Sequence, residues 1–181
     1  MTWLVLGVAL WWATHSFKRW LPELRAELGD KAKALVAVGV LVSVVVMVIG
    51  YRAAEATELW YFPWAVHLNN LLMVVAVVLF GLGNSKSRLR GKLRHPAQTG
   101  LIVWAVAHLL VNGDLPSLIL FGGLGLWSAM AMVMINRAEP APEPFSEGTV
   151  QGDIRLAVIS VVIFAVIVAL HIWLGPSPFP G

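Results

Sequence analysis

The stretch ALVAVGVLVSVVVMVIGY, from Ala34 to Tyr51, decides the fold class, because it is almost wholly apolar and carries no charge. A helix of about 20 such residues spans the roughly 30 Å hydrocarbon core of a bilayer. The rest of the chain is similar: 59% of its 181 residues are hydrophobic and 13% are charged, whereas soluble domains have about 25% charged residues. The sequence predicts an all-α, polytopic transmembrane helical bundle, formed as a single domain over residues 1–181.

Six apolar segments are predicted to cross the membrane. They are Trp3–Trp20, Ala34–Tyr51, Trp64–Leu82, Pro96–Val111, Leu115–Ile135 and Ile154–Leu174. The fourth is short and contains His108, so the alternative is a bundle of five spans with this helix at the membrane interface. The tight turn at Gly113, just before Leu115, predicts that the fourth and fifth helices form an antiparallel hairpin.

Basic residues concentrate in the loops after the first and third predicted helices. These loops contain Lys18, Arg19, Arg25, Lys31 and Lys33, and Lys86, Arg88, Arg90, Lys92 and Arg94. Positive loops stay in the cytoplasm, so both termini are predicted to face the periplasm of a bacterial inner membrane. The acidic, proline-rich loop over residues 138–145 is then cytoplasmic. This asymmetry accounts for the net charge of +3 and gives no indication of nucleic-acid binding.

Two of the five histidines are predicted to lie near the membrane midplane. At 1.5 Å per residue, His15 lies about 18 Å from the outer surface and His108 about 18 Å from the inner surface. Ionisable residues at such depth are costly and indicate function. The other three histidines, His67, His95 and His171, are predicted to be interfacial, with roles in packing or headgroup contacts.

Each deep histidine has a tryptophan four residues earlier on the same helix face, Trp11 for His15 and Trp104 for His108. Imidazoles beside flat aromatic rings, with no carboxylate or thiol nearby, suit axial ligation of haem better than tetrahedral zinc. The chain has no cysteine, which excludes thiolate metal sites. The alternative is that both histidines only hydrogen-bond neighbouring helices, and the residues favour neither interpretation.

Polar residues at the outer end of the fourth helix, Asn112 and Asp114, are predicted to form the mouth of this pocket, together with Asn70 of the third. The alternative is that Asp114 caps the fifth helix. That helix also contains three glycines, Gly122, Gly123 and Gly125. They predict close helix packing in preference to a flat ligand lying against the backbone.

Several motifs in fixed order resemble the NnrU family over nearly the whole chain. They are Arg94-His-Pro-Ala-Gln-Thr-Gly100, Trp104-Ala-Val-Ala-His108, Asn112-Gly-Asp114 and Ser117-Leu-Ile-Leu-Phe-Gly-Gly123, with Thr14-His15-Ser16 in the first helix. The resemblance implies a bacterial inner-membrane protein associated with nitrite and nitric oxide reduction.

The same superfamily includes 15-cis-zeta-carotene isomerase of plants and cyanobacteria, an integral membrane haem b enzyme. Its two functional histidines match His15 and His108, so the resemblance implies haem b bound by these residues, with Trp11 and Trp104 beside it. The isomerase has a cysteine three residues before its second histidine, where this chain has Ala105. A thiolate ligand is therefore excluded here.

Two kinds of function follow as expectations. The first is a haem b protein for redox chemistry, nitric oxide-type gas sensing or isomerisation of a lipid-soluble polyene, with enzymatic activity left open. The second is a non-enzymatic assembly or regulatory factor for nitrogen-oxide reductases, which contacts its partner through the basic loops and the acidic loop. A transporter or lipid methyltransferase is disfavoured, because there is no deep acidic residue and no S-adenosylmethionine-binding motif near the C-terminus.

Overall fold

A computed structural model describes residues 1–143, 145–175 and 177–179. The helices are α1 (Thr2–Trp20), α2 (Pro22–Leu28), α3 (Asp30–Arg52), α4 (Ala65–Leu82), α5 (Pro96–Val111), α6 (Leu115–Ala138) and α7 (Val150–Leu174). A π-helical segment, Leu118–Gly122, lies within α6, and a 3-10 turn, Arg90–Lys92, precedes α5. The described residues contain no extended strand, so the all-α fold class is confirmed.

Helices occur at all six predicted segments. Helix α2 is a seventh helix, in a region that was expected to be a loop. Pro22 occupies the first turn of α2, where its missing N–H costs nothing. Gly29, with a φ of 52°, ends the helix in a backbone conformation that favours glycine.

Four helices, α3, α4, α6 and α7, are long and apolar enough to cross a membrane. Helix α5 has 16 residues and is therefore about 24 Å long, shorter than the hydrocarbon core. Helix α1 has 19 residues, but polar residues interrupt its second half. The chain is thus an all-helical membrane protein with four candidate spans in its described part, and the count of six stays a prediction.

The helices pack side by side in the order α3, α1, α6, α5, α4 and α7. Helix α6 is central and contacts both α1 and α5. A small buried core joins Leu4 of α1, Met47 of α3 and Leu124 of α6. The outermost helices expose apolar side chains, such as Leu41 at 65% and Val161 at 68%. Such surfaces suit contact with lipid.

Helices α1 and α3 approach each other closely at two glycines. A Cβ atom on Gly7 would lie 2.7 Å from Met47 Cγ, and one on Gly50 would overlap the backbone nitrogen of Leu4. Small residues allow this approach between helices in a membrane. The glycines of α6 behave similarly, since Gly123 faces Val8 and Gly125 faces Ala105. The predicted packing role is confirmed at these two positions.

One end of the bundle, here called the basic end, gathers residues 18–33, 83–95 and 137–155. It contains twelve of the thirteen lysines and arginines. Arg19 binds Glu139 at 2.8 Å, and Arg88 binds Asp153 at 2.6 Å. The other end, here called the opposite end, gathers the N-terminus and residues 53–64, 112–114 and 177–179. The two predicted basic loops therefore lie on one side of the bundle.

Candidate functional site

His15 lies between two indole rings. It stacks on Trp11 with 3.9 Å between ring centroids and meets the edge of Trp127 at 4.9 Å. Its Nδ1–H donates to the Trp11 carbonyl at 3.1 Å. The indole N–H of Trp127 donates to Ser16 Oγ at 3.3 Å, which joins α6 to α1. Trp11, His15 and Trp127 form the His15 cluster.

His108 has an equivalent environment on α5. It stacks on Phe121 of the π-helical segment at 4.5 Å and contacts Trp104 at 4.8 Å. Its Nδ1–H donates to the Trp104 carbonyl at 2.9 Å. Trp104, His108 and Phe121 form the His108 cluster. The predicted pairing of each histidine with the tryptophan four residues earlier is confirmed.

These contacts define the tautomer of both imidazoles. A carbonyl can only accept, so Nδ1 carries the proton and Nε2 has a free lone pair. Within the described residues, neither Nε2 atom has a hydrogen-bond partner. Metal-binding histidines use the same arrangement, in which a carbonyl orients the ring and the other nitrogen is the ligand.

The two histidines contact different residues of α6. Helices α1 and α5 run in opposite directions, and the tryptophans of both clusters pack against the same core. His15 lies one turn toward the basic end, beside Trp127, and His108 one turn toward the opposite end, beside Phe121. Phe121 and Trp127 are six residues apart on α6, about 9 Å along its axis. The common depth of the two histidines stays a prediction.

The three residues predicted to form the mouth of a shared pocket lie in two separate places. Asp114 caps α6, because its Oδ1 accepts from the Ser117 N–H at 2.7 Å. Asn112 donates from Nδ2 to the His108 carbonyl at 2.9 Å, at the end of α5. Asn70 lines a cleft beside His108 that neither Asn112 nor Asp114 lines. The first two residues thus have local capping roles.

This cleft, here called the His108–His171 cleft, lies between α4, α5 and α7 and has a volume of about 50 Å³. It is lined by Asn69, Asn70, Met73, His108, Phe164, Ile167, Val168, His171 and Pro178. Asn69 donates to Asn70 Oδ1 at 3.0 Å, and Asn70 donates to the Pro178 carbonyl at 3.1 Å. The Oδ1 atom of Asn69 is buried and has no hydrogen-bond partner among the residues that the structure describes.

The relation between His171 and His108 was not predicted from the sequence. His171 was expected to be interfacial, and the depth of His108 was counted from the far end of α5. Both histidines lie three residues before the last residue of their helices, Val111 and Leu174. Counting from these ends would have placed them at one level.

The second basic loop and the acidic loop, both expected to bind a partner, contact each other at the basic end. Arg94 donates to the carbonyl oxygens of Glu139 and Pro140 at 2.9 and 3.0 Å. The Arg90 guanidinium lies over the Phe145 ring at 4.5 Å. A cleft of about 720 Å³ remains between the two loops. His95 lies nearby, buried and bonded to Asn136 Oδ1 at 2.8 Å, which suits its expected structural role.

An apolar groove of about 450 Å³ lies on the surface of α1, and the residues of the His15 cluster are not among those that line it. It is lined by Val5, Val8, Ala9, Trp12, Trp20 and Ile119. Trp12 is fixed in place because its indole N–H donates to the Gly123 carbonyl at 3.0 Å. Trp12 lies three residues before His15 on α1, so the groove and the imidazole are neighbours on the helix surface.

The fold and these clusters define a multi-helix membrane protein with histidines set among aromatic rings. A family model described as NnrU protein matches residues 3–178, nearly the whole chain. The chain therefore belongs to the NnrU family, as the motifs predicted. No curated protein and no solved structure matches it.

Proposed function

We propose that this chain is an inner-membrane haem b-binding protein, linked to nitrite or nitric oxide reduction as the family resemblance implies. One observation carries the proposal. His15 and His108 each donate Nδ1–H to the carbonyl of a tryptophan and keep Nε2 free beside flat aromatic rings. An axial haem ligand requires such an imidazole in apolar surroundings.

The geometry supports one imidazole per iron. A metal–imidazole bond is about 2 Å long, so two ligands of one iron have nitrogens about 4 Å apart. Their neighbours on α6, Trp127 and Phe121, lie about 9 Å apart along the helix axis, which favours separate sites over joint ligation. The groove of about 450 Å³ whose wall includes Trp12, one turn from His15, has the size of a ligand pocket, whereas the cleft beside His108 holds about 50 Å³. We therefore favour His15 as the ligand, with His108 as the second candidate.

Bound haem would supply an iron that changes oxidation state or binds a small gas. The protein's own residues would position it. Trp11 and Trp127 hold the plane of the His15 ring, and the groove beside Trp12 would offer apolar walls to the porphyrin. The same groove is suited to a hydrophobic small molecule such as a polyene, which keeps isomerase-like chemistry within the proposal.

We also propose an orientation with the basic end in the cytoplasm and both termini in the periplasm. The concentration of basic side chains at one end supports it, because positive segments stay inside. The acidic Glu55, Glu58 and Asp114 lie at the opposite end.

Optical spectra of the detergent-purified chain, oxidised and reduced, test the haem proposal. We expect a Soret band that is lost in His15→Ala and kept in His108→Ala. His67→Ala is the matched control, because His67 is exposed and outside both clusters. Native protein with no Soret absorbance, even after haem supplementation, contradicts haem binding. Loss of the band in both variants contradicts single ligation only.

The alternative function is a non-enzymatic assembly or regulatory factor for nitrogen-oxide reductases. The basic end favours it, since its charge and its cleft of about 720 Å³ could hold an acidic segment of a partner. Complementation of a deletion strain separates the two functions. If haem-free His15→Ala protein restores reductase maturation fully, the alternative is preferred.

A further inference from the structure

The His108–His171 cleft presents electron-pair donors from four side chains, of which two are histidines. His171 donates its Nδ1–H to the Ile167 carbonyl at 2.8 Å, as His108 does to Trp104 at 2.9 Å. In the neutral form, both rings therefore have the same tautomer, with the lone pair on Nε2. His171 is exposed and His108 is partly buried, so the cleft joins the protein interior to the surface.

Asn69 supplies the third atom. Its amide nitrogen donates to Asn70, and the amide nitrogen of Asn70 donates to Pro178. This chain of hydrogen bonds fixes the orientation of Asn69, which is 8% exposed, and leaves its Oδ1 without a partner in the described part of the chain. A buried acceptor without a partner is costly, which indicates that something else occupies its side of the cleft.

The remaining lining residues narrow the chemistry of that occupant. Among the described residues, no carboxylate, lysine or arginine lines the cleft, and the buried Met73 adds a thioether. Two imidazole nitrogens, an amide oxygen and a thioether are all ligands without a formal charge. Thioether and imidazole together select soft, late transition metals and above all copper(I). A volume of about 50 Å³ exceeds the share of one water molecule, about 30 Å³, and suffices for one ion.

We propose that this cleft binds a single copper(I) ion through Nε2 of His108 and Nε2 of His171, with Met73 Sδ and Asn69 Oδ1 completing the coordination. The site goes beyond the proposed haem function, because it needs no porphyrin and does not use His15. It lies toward the opposite end of the bundle, where the exposed His171 gives an ion a path of entry.

Anaerobic titration of the full-length purified protein with copper(I), against a chromophoric copper(I) chelator, tests the site. We expect one ion per chain. Loss of an outer-shell partner costs about 10- to 100-fold in affinity, so loss of a direct ligand in His171→Ala should cost at least about 100-fold. His171→Ala changes an exposed side chain at a helix end, and its fold can be checked by circular dichroism. His67→Ala, another exposed histidine, should bind as the native chain does.

X-ray absorption at the copper edge supplies the second measurement. We expect both nitrogen and sulfur scattering in the native protein, with the sulfur contribution lost in Met73→Leu, a substitution that conserves volume. Native affinity in His171→Ala, or a copper spectrum without sulfur, overturns the proposal. The copper and haem proposals can fail separately. Copper binding that is lost in His171→Ala while the Soret band stays intact supports this site. A native chain that binds copper and shows no Soret band contradicts only the haem proposal.

Discussion

Tyr51 Oη lies 2.8 Å from Ser117 Oγ, and this hydrogen bond joins the last turn of α3 to the first turn of α6. Ser117 is fully buried, so no water can replace a lost partner. The bond links α6, which contacts both histidine clusters, to α3 at the edge of the bundle.

We predict that Tyr51→Phe destabilises the protein by about 1–2 kcal/mol, because the buried Ser117 hydroxyl loses its partner. Ser117→Ala alone should cost a similar amount. The double variant should cost less than the sum of the two, since both groups then disappear together. Unfolding in mixed micelles measures all three values. Strictly additive losses would show that the bond contributes nothing.

We predict that Gly50→Ala destabilises the protein by about 1–3 kcal/mol, because the new methyl group overlaps the backbone of Leu4 and separates α1 from α3. Gly122→Ala is the matched control, as its Cβ would lie 3.5 Å from Leu118 Cδ1, an ordinary contact. The control should be neutral or stabilising, because alanine favours helix. Equal losses in both variants would contradict a tight contact between α1 and α3.

We predict that Glu55→Cys is labelled by an impermeant maleimide in intact cells and that Glu143→Cys is labelled only after the inner membrane is opened. The native chain has no cysteine, so neither variant has a background signal. Both positions are exposed, and they lie at opposite ends of the bundle. The reverse pattern would place the basic end in the periplasm and contradict the proposed orientation.

Features that depend on one helix alone, such as its bounds and the residues that share its face, were predicted well. The bounds of Pro96–Val111 are as expected, because a proline opens the segment and a polar, glycine-containing turn closes it. The pairing of His15 with Trp11 is also local, since residues four apart share a helix face. Residues 22–28 were missed because a helix of seven residues lacks the long apolar pattern on which the prediction relied.

The relation between helices could not be predicted in the same way. The level of His108 depends on how α5, which is shorter than the hydrocarbon core, is positioned against α6 and α7. That position depends on tertiary contacts such as the stacking of His108 on Phe121. The cleft that His108 shares with His171 depends on the packing of α7 beside α4, which no local sequence pattern predicts. No sequence pattern predicts either that Asn69 Oδ1 lacks a partner among the described residues.

The ion pair between Arg19 and Glu139 predicts an acid-dependent loss of stability at the basic end. The hydrogen bond from Arg19, at 2.8 Å, holds the pKa of the Glu139 carboxyl below its ordinary value, and the charges of Arg19, Lys18 and Arg94 act in the same direction. A carboxyl with a lowered pKa in the folded state stabilises the fold above its unfolded pKa, about 4.3. This contribution is lost as the pH falls through the folded value.

We therefore predict that the thermal midpoint of the native protein falls more steeply below about pH 4.3 than that of Glu139→Gln. Added salt should reduce the difference, because both side chains are partly exposed. Glu23→Gln, an exposed change on α2, should keep the native slope. Identical slopes in the native protein and Glu139→Gln, measured by scanning fluorimetry from pH 7 downward, would show that the pair does not contribute to folding. In that case the link between the first basic loop and the acidic loop would have no role in holding the basic end together.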